Sequence, residues 1–172
     1  LFLMNSTRFN TKIYKTLYSY VYRYCTAVHY PTQFICDVFE RECGHTTNHY
    51  VISNGVGKEF VRRPEPKPAE FADKKVVLFT GRYSREKCHK VLIDAVALTR
   101  DPGRIKLVFA GCGPLDEKLH EYAREVLPAD DQPLFGFFSR PEMLRVLNYA
   151  DLYVHPAEIE IEAIACLEAI KC

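Results

Sequence analysis

The residues with the clearest chemical potential form a short basic loop, Gly81 to Lys87, that follows an apolar run of the chain. A glycine at this point lets the backbone approach a ligand, and Arg82 and Lys87 place two cations beside the start of a predicted helix. Backbone amides, the helix dipole and paired cations together suit a diphosphate. A solvated, charged loop would contain the same residue types, so this segment alone leaves both interpretations open.

Two acidic residues near the end of the chain form a second group. Glu160 and Glu168 are eight residues apart, which places both on one face of a helix if that helix begins near Glu160. Carboxylates there could accept the hydroxyl groups of a sugar or ribose, or stabilise a developing cation. Acidic residues also favour the first turn of any helix, but Glu168 stands in an apolar run, where a carboxylate needs a partner.

The elements that must position these groups alternate regularly beyond residue 73. Short β-branched and aromatic runs predict strands, and the longer stretches between them predict helices. The predicted strands cover residues 76–80, 105–110, 133–136 and 152–155, and the predicted helices cover residues 87–99, a stretch ending at 126, 141–150, and 162 to the end. This alternation predicts an α/β fold with a doubly wound parallel sheet, whose ligands bind at the carboxyl ends of the strands.

A glycine pair, Gly111 and Gly113, follows the second predicted strand. The loop is similar to a shortened dinucleotide-binding loop, but the GxGxxG pattern is absent. The acidic residues nearby also precede the next strand, whereas a dinucleotide site has one at its end. A dinucleotide oxidoreductase is therefore the least supported function.

The first third of the chain differs in composition from the rest. Three prolines interleaved with charged residues predict a linker over residues 62–72, which divides residues 1–61 from residues 73–172. Residues 1–61 are predicted to contain helices and a short strand. An apolar row at helical spacing and a row of tyrosines beside it form a broad apolar face, which we expect to pack in the core, with a membrane surface as the alternative. The tyrosines are Tyr14, Tyr18 and Tyr22. The apolar row consists of Ile13, Leu17, Val21 and Tyr24.

Composition narrows the class of protein further. A net charge of +1 gives no reason to expect nucleic acid as a partner, and seven cysteines without a CxxC pair indicate a reducing compartment. The segment Cys43–His49 lacks a fourth metal ligand at a usual spacing, so no metal site is predicted there. The chain begins at Leu1 and ends at Cys172 inside an apolar run, so we expect a fragment truncated at both ends.

Five short motifs stand in a fixed order along the chain. They are 51–56 (VISNGV), 78–87 (LFTGRYSREK), 109–114 (FAGCGP), 150–156 (ADLYVHP) and Glu160-x7-Glu168. Together they resemble the retaining, nucleotide-sugar-dependent glycosyltransferases of the GT-B fold, in group 1 (family 4). The resemblance covers roughly residues 28–172.

The resemblance implies two Rossmann-like domains. Residues 1–61 would be a remnant of the N-terminal acceptor domain, and residues 73–172 a donor domain incomplete at its C-terminus. It implies catalytic roles for Arg82 and Lys87 on the donor diphosphate and for Glu160 on the transferred sugar. It implies donor-binding roles, at the ribose or through close backbone approach, for Glu168, Gly81, Gly111 and Gly113. No metal or other cofactor is implied.

The expected function is transfer of a hexose from a UDP- or GDP-sugar to a lipid or growing glycan, with retention of configuration. The fragment alone is expected to be inactive. The expected location is cytoplasmic, with peripheral contact at the inner face of a membrane. A non-catalytic nucleotide-sugar-binding module and a GT-B-fold nucleotide-sugar epimerase stay open as alternatives.

Four positions depart from the family's usual residues. The family usually has Gly where Cys88, Ile161 and Ala163 stand, and Asp where Gly57 stands. Because those glycines let backbone amides approach the phosphate, larger side chains at 161 and 163 are expected to alter the geometry of donor binding.

Overall fold

A computed structural model describes residues 8–43 and 48–172, with side chains from residue 12 onward. The chain divides into two compact units, Leu1–Gly55 with Ile159–Ile164, and Val56–Glu158 with Ala165–Cys172. The predicted linker lies in the second unit, where residues 61–68 have no regular secondary structure. The proposed division into acceptor remnant, linker and donor domain stays a prediction.

Six helices and six strands are found in the described ranges. The helices are α1 (Arg8–Tyr22), α2 (Gln33–Cys43), α3 (His89–Ala97), α4 (Asp116–Val126), α5 (Arg140–Tyr149) and α6 (Ile164–Lys171). The strands are β1 (Val28–Tyr30), β2 (His49–Val51), β3 (Lys75–Thr80), β4 (Ile105–Ala110), β5 (Leu134–Gly136) and β6 (Leu152–Tyr153).

The second unit contains a four-stranded parallel sheet in the order β5-β4-β3-β6, which confirms the predicted parallel α/β fold. Alternate residues of each strand point to opposite faces of the sheet. Val76 and Leu78 therefore pack on one face with Val146 of α5. Phe79 packs on the other face with Ile93 of α3. Both faces are covered, which explains why these strands are apolar runs without alternation.

Helix α6 begins later in the chain than the sequence predicts. It starts at Ile164, so Glu160 precedes it by four residues and does not share a helical face with Glu168. The physical reason lies at Ala163, whose φ of 51° is in the left-handed region and cannot continue a right-handed helix. The expected helical pairing of the two glutamates is therefore wrong.

The first unit combines α1 and α2 with a two-stranded parallel sheet of β1 and β2. Tyr18 and Tyr22 of α1 lie against Phe39 of α2, with ring centroids 6.0 and 6.4 Å apart. The expected packing of this face is therefore found for the tyrosines and is wrong for the apolar row beside them, because the members of that row are 45–73% exposed. The exposed members are Ile13, Leu17, Val21 and Tyr24. None of the helices in the described ranges has the length and apolar character needed to cross a membrane.

Candidate functional site

A cleft of about 530 Å³ opens at the carboxyl ends of the central strands. In an open parallel sheet this edge is where ligands bind, because loops and helix N-termini converge there. The cleft is lined by Thr80, Gly81, Arg82, Ala110, Gly111, Cys112, Gly113, Phe137, Phe138, Met143, Ala165 and Glu168. Three loops, one after each of β3, β4 and β5, and helix α6 therefore contribute to one concave surface.

Most of the site residues that the sequence predicts line this cleft. The cleft brings together Gly81, Arg82 and Glu168 from two distant parts of the chain. Gly111 and Gly113, in the loop after β4, line it as well. Lys87 and Glu160 are not among the described residues that line it. Lys87 ends a short 3-10 turn, and Glu160 belongs to the first compact unit. The catalytic and binding roles of all these residues stay predictions.

Tyr83 holds the three loops together, and sequence reasoning missed it. Its backbone N–H donates to the carbonyl of Cys112 at 2.9 Å, and its own carbonyl accepts from the N–H of Leu115 at 3.1 Å. Its hydroxyl donates to the carbonyl of Phe109 at 2.7 Å and accepts from the N–H of Gly136 at 3.2 Å. Burial raises the pKa of Tyr83 to about 12, so the hydroxyl keeps its proton and its donor role at neutral pH. The signal in the sequence that could have identified Tyr83 is an aromatic residue inside a charged loop.

The glycines of the second loop serve this packing of loop on loop. A Cβ at Gly111 would lie 2.0 Å from the carbonyl oxygen of Gly81, and a Cβ at Gly113 would lie 2.6 Å from that of Tyr83. The resemblance gave these glycines a role in close approach to the donor. In the structure they allow one loop backbone to contact the other, which is the arrangement that shapes the cleft.

Glu168 is the acidic residue of the cleft. Its side chain is 20% exposed, and burial raises its pKa, while the positive charge of Arg140 opposes that rise. Arg140 Nη1 lies 3.9 Å from Glu168 Oε1, and Arg140 Nε donates to Glu59 Oε1 at 2.9 Å. The sequence predicted that Glu168 needs a partner but did not identify Arg140, which is 28 residues away along the chain.

His89, the first residue of α3, is a buried neutral base behind the basic loop. It is 2% exposed, and within the part of the chain that the structure describes neither ring nitrogen has a hydrogen-bond partner. Its ring packs against Phe79 and Tyr83, with centroids 4.8 and 5.1 Å away. Burial, and next the charge of Lys87, lower the pKa of His89 from 6.5 to about 4.

Glu162 has a local structural role in the first unit. Its carboxylate accepts the backbone N–H of Asn54 at 3.0 Å and the side-chain amide of Asn54 at 2.5 Å. A further hydrogen bond from Ser53 contributes most to lowering the pKa of Glu162. Glu162 therefore ties the segment before α6 to the Ser-Asn turn of the motif at residues 51–56.

One group of side chains in the first unit could hold a metal ion. The ligand atoms of Cys36, Glu40 and His49 all lie within 4.8 Å of one another. Nδ1 of His49 lies 2.7 Å from Oε1 of Glu40, so the two side chains contact each other directly. The metal cluster considered at Cys43–His49 includes residues 44–47, which lie outside the described residues.

The sequence of the second unit matches a known family. Residues 61–172 match the sequence model described as glycosyl transferases group 1. The chain belongs to this family. The cleft lined by Arg82 and Glu168 therefore lies in the part of the chain that matches the group 1 glycosyltransferases.

Similar proteins extend this assignment. An uncharacterized glycosyltransferase of Methanocaldococcus jannaschii is 29% identical over 98 residues, covering 57% of this chain and 25% of its own length. The crystal structure of the catalytic domain of cholesterol-alpha-glucosyltransferase from Helicobacter pylori is 43% identical, with a TM-score of 0.51, over 56% of this chain and 58% of that one.

A second similar structure supports the GT-B fold. Anabaena HepE in complex with UDP-glucose has a TM-score of 0.77 at 20% identity, over 98% of this chain and 48% of that one. The chain therefore spans a quarter to just over half of the length of these relatives.

Two of the departures from the usual residues of group 1 coincide with backbone strain. Among the described residues, only Cys88 and Ala163 combine a side chain with a positive φ, at 53° and 51°. Both stand where the family usually has Gly, which adopts this conformation without the steric cost that a Cβ adds. The backbone at both positions therefore has a conformation that glycine adopts more easily, at a cost in conformational energy.

Proposed function

We propose that this chain forms the donor-binding part of a glycosyltransferase that transfers a hexose from a nucleotide sugar with retention of configuration. The observation that carries the proposal is the cleft, where Arg82, Glu168 and the backbone of three loops converge in a chain of the group 1 family. The cation of Arg82 matches the diphosphate of such a donor, and the carboxylate of Glu168 matches its hydroxyl groups.

The donor is proposed to lie with its diphosphate at Arg82 and Lys87 and its ribose at Glu168, with Glu160 contacting the transferred sugar. Charge on the departing diphosphate would then be offset by protein cations, so the reaction needs no metal at this site. The apolar side chains of the cleft, Phe137, Phe138 and Met143, offer a surface for the base. UDP-sugars are the preferred donors, which the HepE complex with UDP-glucose supports.

The acceptor is proposed to be a lipid of the sterol class, and the transferred sugar glucose. The 43% identity to the cholesterol-alpha-glucosyltransferase supports this choice. The exposed apolar row of α1 suits contact with a lipid surface. Lys12 on the same helix and Arg23 directly after it add positive charge. We place the protein in the cytoplasm, in peripheral contact with the inner face of a membrane.

Saturation-transfer NMR on the 172-residue chain tests the donor assignment. UDP-glucose is expected to give signals at its uracil and ribose protons, and Lys87→Ala is expected to weaken them, while the exposed Lys118→Ala on α4 serves as a control. GDP-mannose and NAD are the competing ligands. A chain that contacts NAD and no nucleotide sugar would contradict the proposal.

Turnover is measured on the full-length protein with labelled UDP-glucose and cholesterol vesicles. We expect the full-length protein to form a glucoside with retained anomeric configuration. The 172-residue chain alone is expected to form none. Donor binding without transfer or hydrolysis by the full-length protein would instead favour the non-catalytic module.

A further inference from the structure

A charged side chain behind the wall of the cleft links two carboxylates. Arg140, the first residue of α5, donates from Nε to Glu59 at 2.9 Å, and its Nη1 lies 3.9 Å from Glu168. Its guanidinium carbon lies 4.6 Å from the centroid of the Phe60 ring. Of these four residues, only Glu168 lines the cleft. Arg140 therefore contacts a cleft residue from outside the surface that a ligand touches.

Two contacts orient the guanidinium of Arg140, whose side chain is 56% exposed. One edge is bound by Glu59, through Nε and also through Nη2, and one face lies on Phe60, which is 1% exposed. A guanidinium is planar, so an edge and a face that are both fixed determine where the remaining N–H groups point. One of the remaining nitrogens, Nη1, lies 3.9 Å from Oε1 of Glu168.

Glu168 has reason to need this neighbour. Its carboxyl is largely buried, which favours the neutral acid, and the charge of Arg140 favours the carboxylate. At 3.9 Å the pair is an ion pair without a direct hydrogen bond, so the oxygens of Glu168 stay available to accept hydroxyl groups of a ligand. The charge of Arg140 thus favours the ionised carboxylate and leaves its oxygens to a ligand.

We propose that Arg140 is a positioning residue for the donor. Anchored by Glu59 and Phe60, it fixes the orientation of Glu168, through which the cleft recognises the ribose hydroxyls of the nucleotide. This inference rests on the proposed function, and it adds a residue that does not touch the donor but determines how well its ribose is bound.

Calorimetry with two ligands tests the proposal on the 172-residue chain. The ligands are UDP and 2′,3′-dideoxy-UDP, which lacks the hydroxyl groups that Glu168 would accept. The wild-type chain is expected to bind UDP about tenfold more tightly, as hydrogen bonds to a charged acceptor predict. Arg140→Gln is expected to lose about tenfold in affinity for UDP and almost nothing for the dideoxy ligand.

Two further variants make the comparison specific. Arg145→Gln removes an exposed arginine of the same helix and is expected to leave both affinities unchanged. Arg140→Lys keeps a positive charge near Glu168 and is expected to recover part of the preference for UDP. The loss in Arg140→Gln is also expected to grow as the pH falls, because the carboxyl of Glu168, whose pKa is raised by burial and by the charge of Glu59, protonates more readily without the guanidinium.

The outcomes separate this inference from the function on which it rests. Equal losses of affinity for UDP and dideoxy-UDP in Arg140→Gln would overturn the positioning role and leave the proposed function intact. A wild-type chain that binds neither ligand would overturn both. Thermal unfolding of each variant identifies any loss of affinity that is due to misfolding.

Discussion

Acidification is expected to destabilise this chain through one buried side chain, His89. The folded state lowers its pKa from 6.5 to about 4, because the ring is 2% exposed and its nitrogens lack hydrogen-bond partners among the described residues. Below pH 6.5 the unfolded chain therefore binds a proton that the folded chain does not bind. The free energy of unfolding then falls as the pH falls, and the fall ends once the pH passes below about 4.

The magnitude follows from the size of the pKa difference. At 1.36 kcal/mol per pH unit, the contribution at pH 5 is a loss of about 2 kcal/mol relative to pH 7.5, and the full loss is about 3 kcal/mol. For a domain of this size, 2 kcal/mol is a large part of a stability of about 5–15 kcal/mol.

Urea unfolding at a series of pH values between 7.5 and 4.5 measures this loss. His89→Leu removes the titrating group at similar volume, so the difference between wild type and variant isolates His89 while all other groups cancel. His120→Leu, at a histidine whose side chain is 46% exposed, is the control for the substitution itself and is expected to retain the loss of stability that His89 causes at low pH. Parallel profiles for wild type and His89→Leu would refute the reasoning, as would an NMR titration showing that His89 protonates near pH 6.5.

Two further predictions concern backbone geometry. Cys88→Gly and Ala163→Gly are each expected to raise the free energy of unfolding by about 1 kcal/mol, since glycine relieves the positive φ; an unchanged urea midpoint would contradict this. Gly111→Ala is expected to cost more than 3 kcal/mol and to abolish ligand binding, because its Cβ would lie 2.0 Å from Gly81 O. Gly103→Ala, whose Cβ would meet nothing closer than 3.7 Å, is the control and is expected to stay within about 1 kcal/mol of wild type by the same urea assay.

The sequence predicts the sheet of the second unit well because local and tertiary signals agree there. Strands buried on both faces must be apolar throughout, so β3 and β4 are visible as runs of β-branched and aromatic residues. The loops after them carry the glycines and Arg82, and the topology then requires these residues to meet at one edge. Glu168 could be selected as a carboxylate in an apolar run.

The remaining features depend on neighbours that are distant along the chain. The periodicity of α1 shows which residues share a face, but it does not show that the row containing Leu17 lies exposed while the tyrosine row packs on α2. The late start of α6 depends on the backbone conformation of Ala163. Arg140 and Tyr83 act through contacts with residues 28 and 53 positions away, which no local pattern records.

We propose that the cleft at the carboxyl edge of the sheet binds a nucleotide diphosphate. Amide chemical-shift mapping of the 172-residue chain during a titration with UDP measures this binding residue by residue. We predict shifts concentrated at Gly81, Arg82, Gly111 and Cys112, with Glu168→Gln weakening the affinity about tenfold. Saturating UDP that shifts none of these amides, or that shifts only residues outside the cleft, would contradict the account.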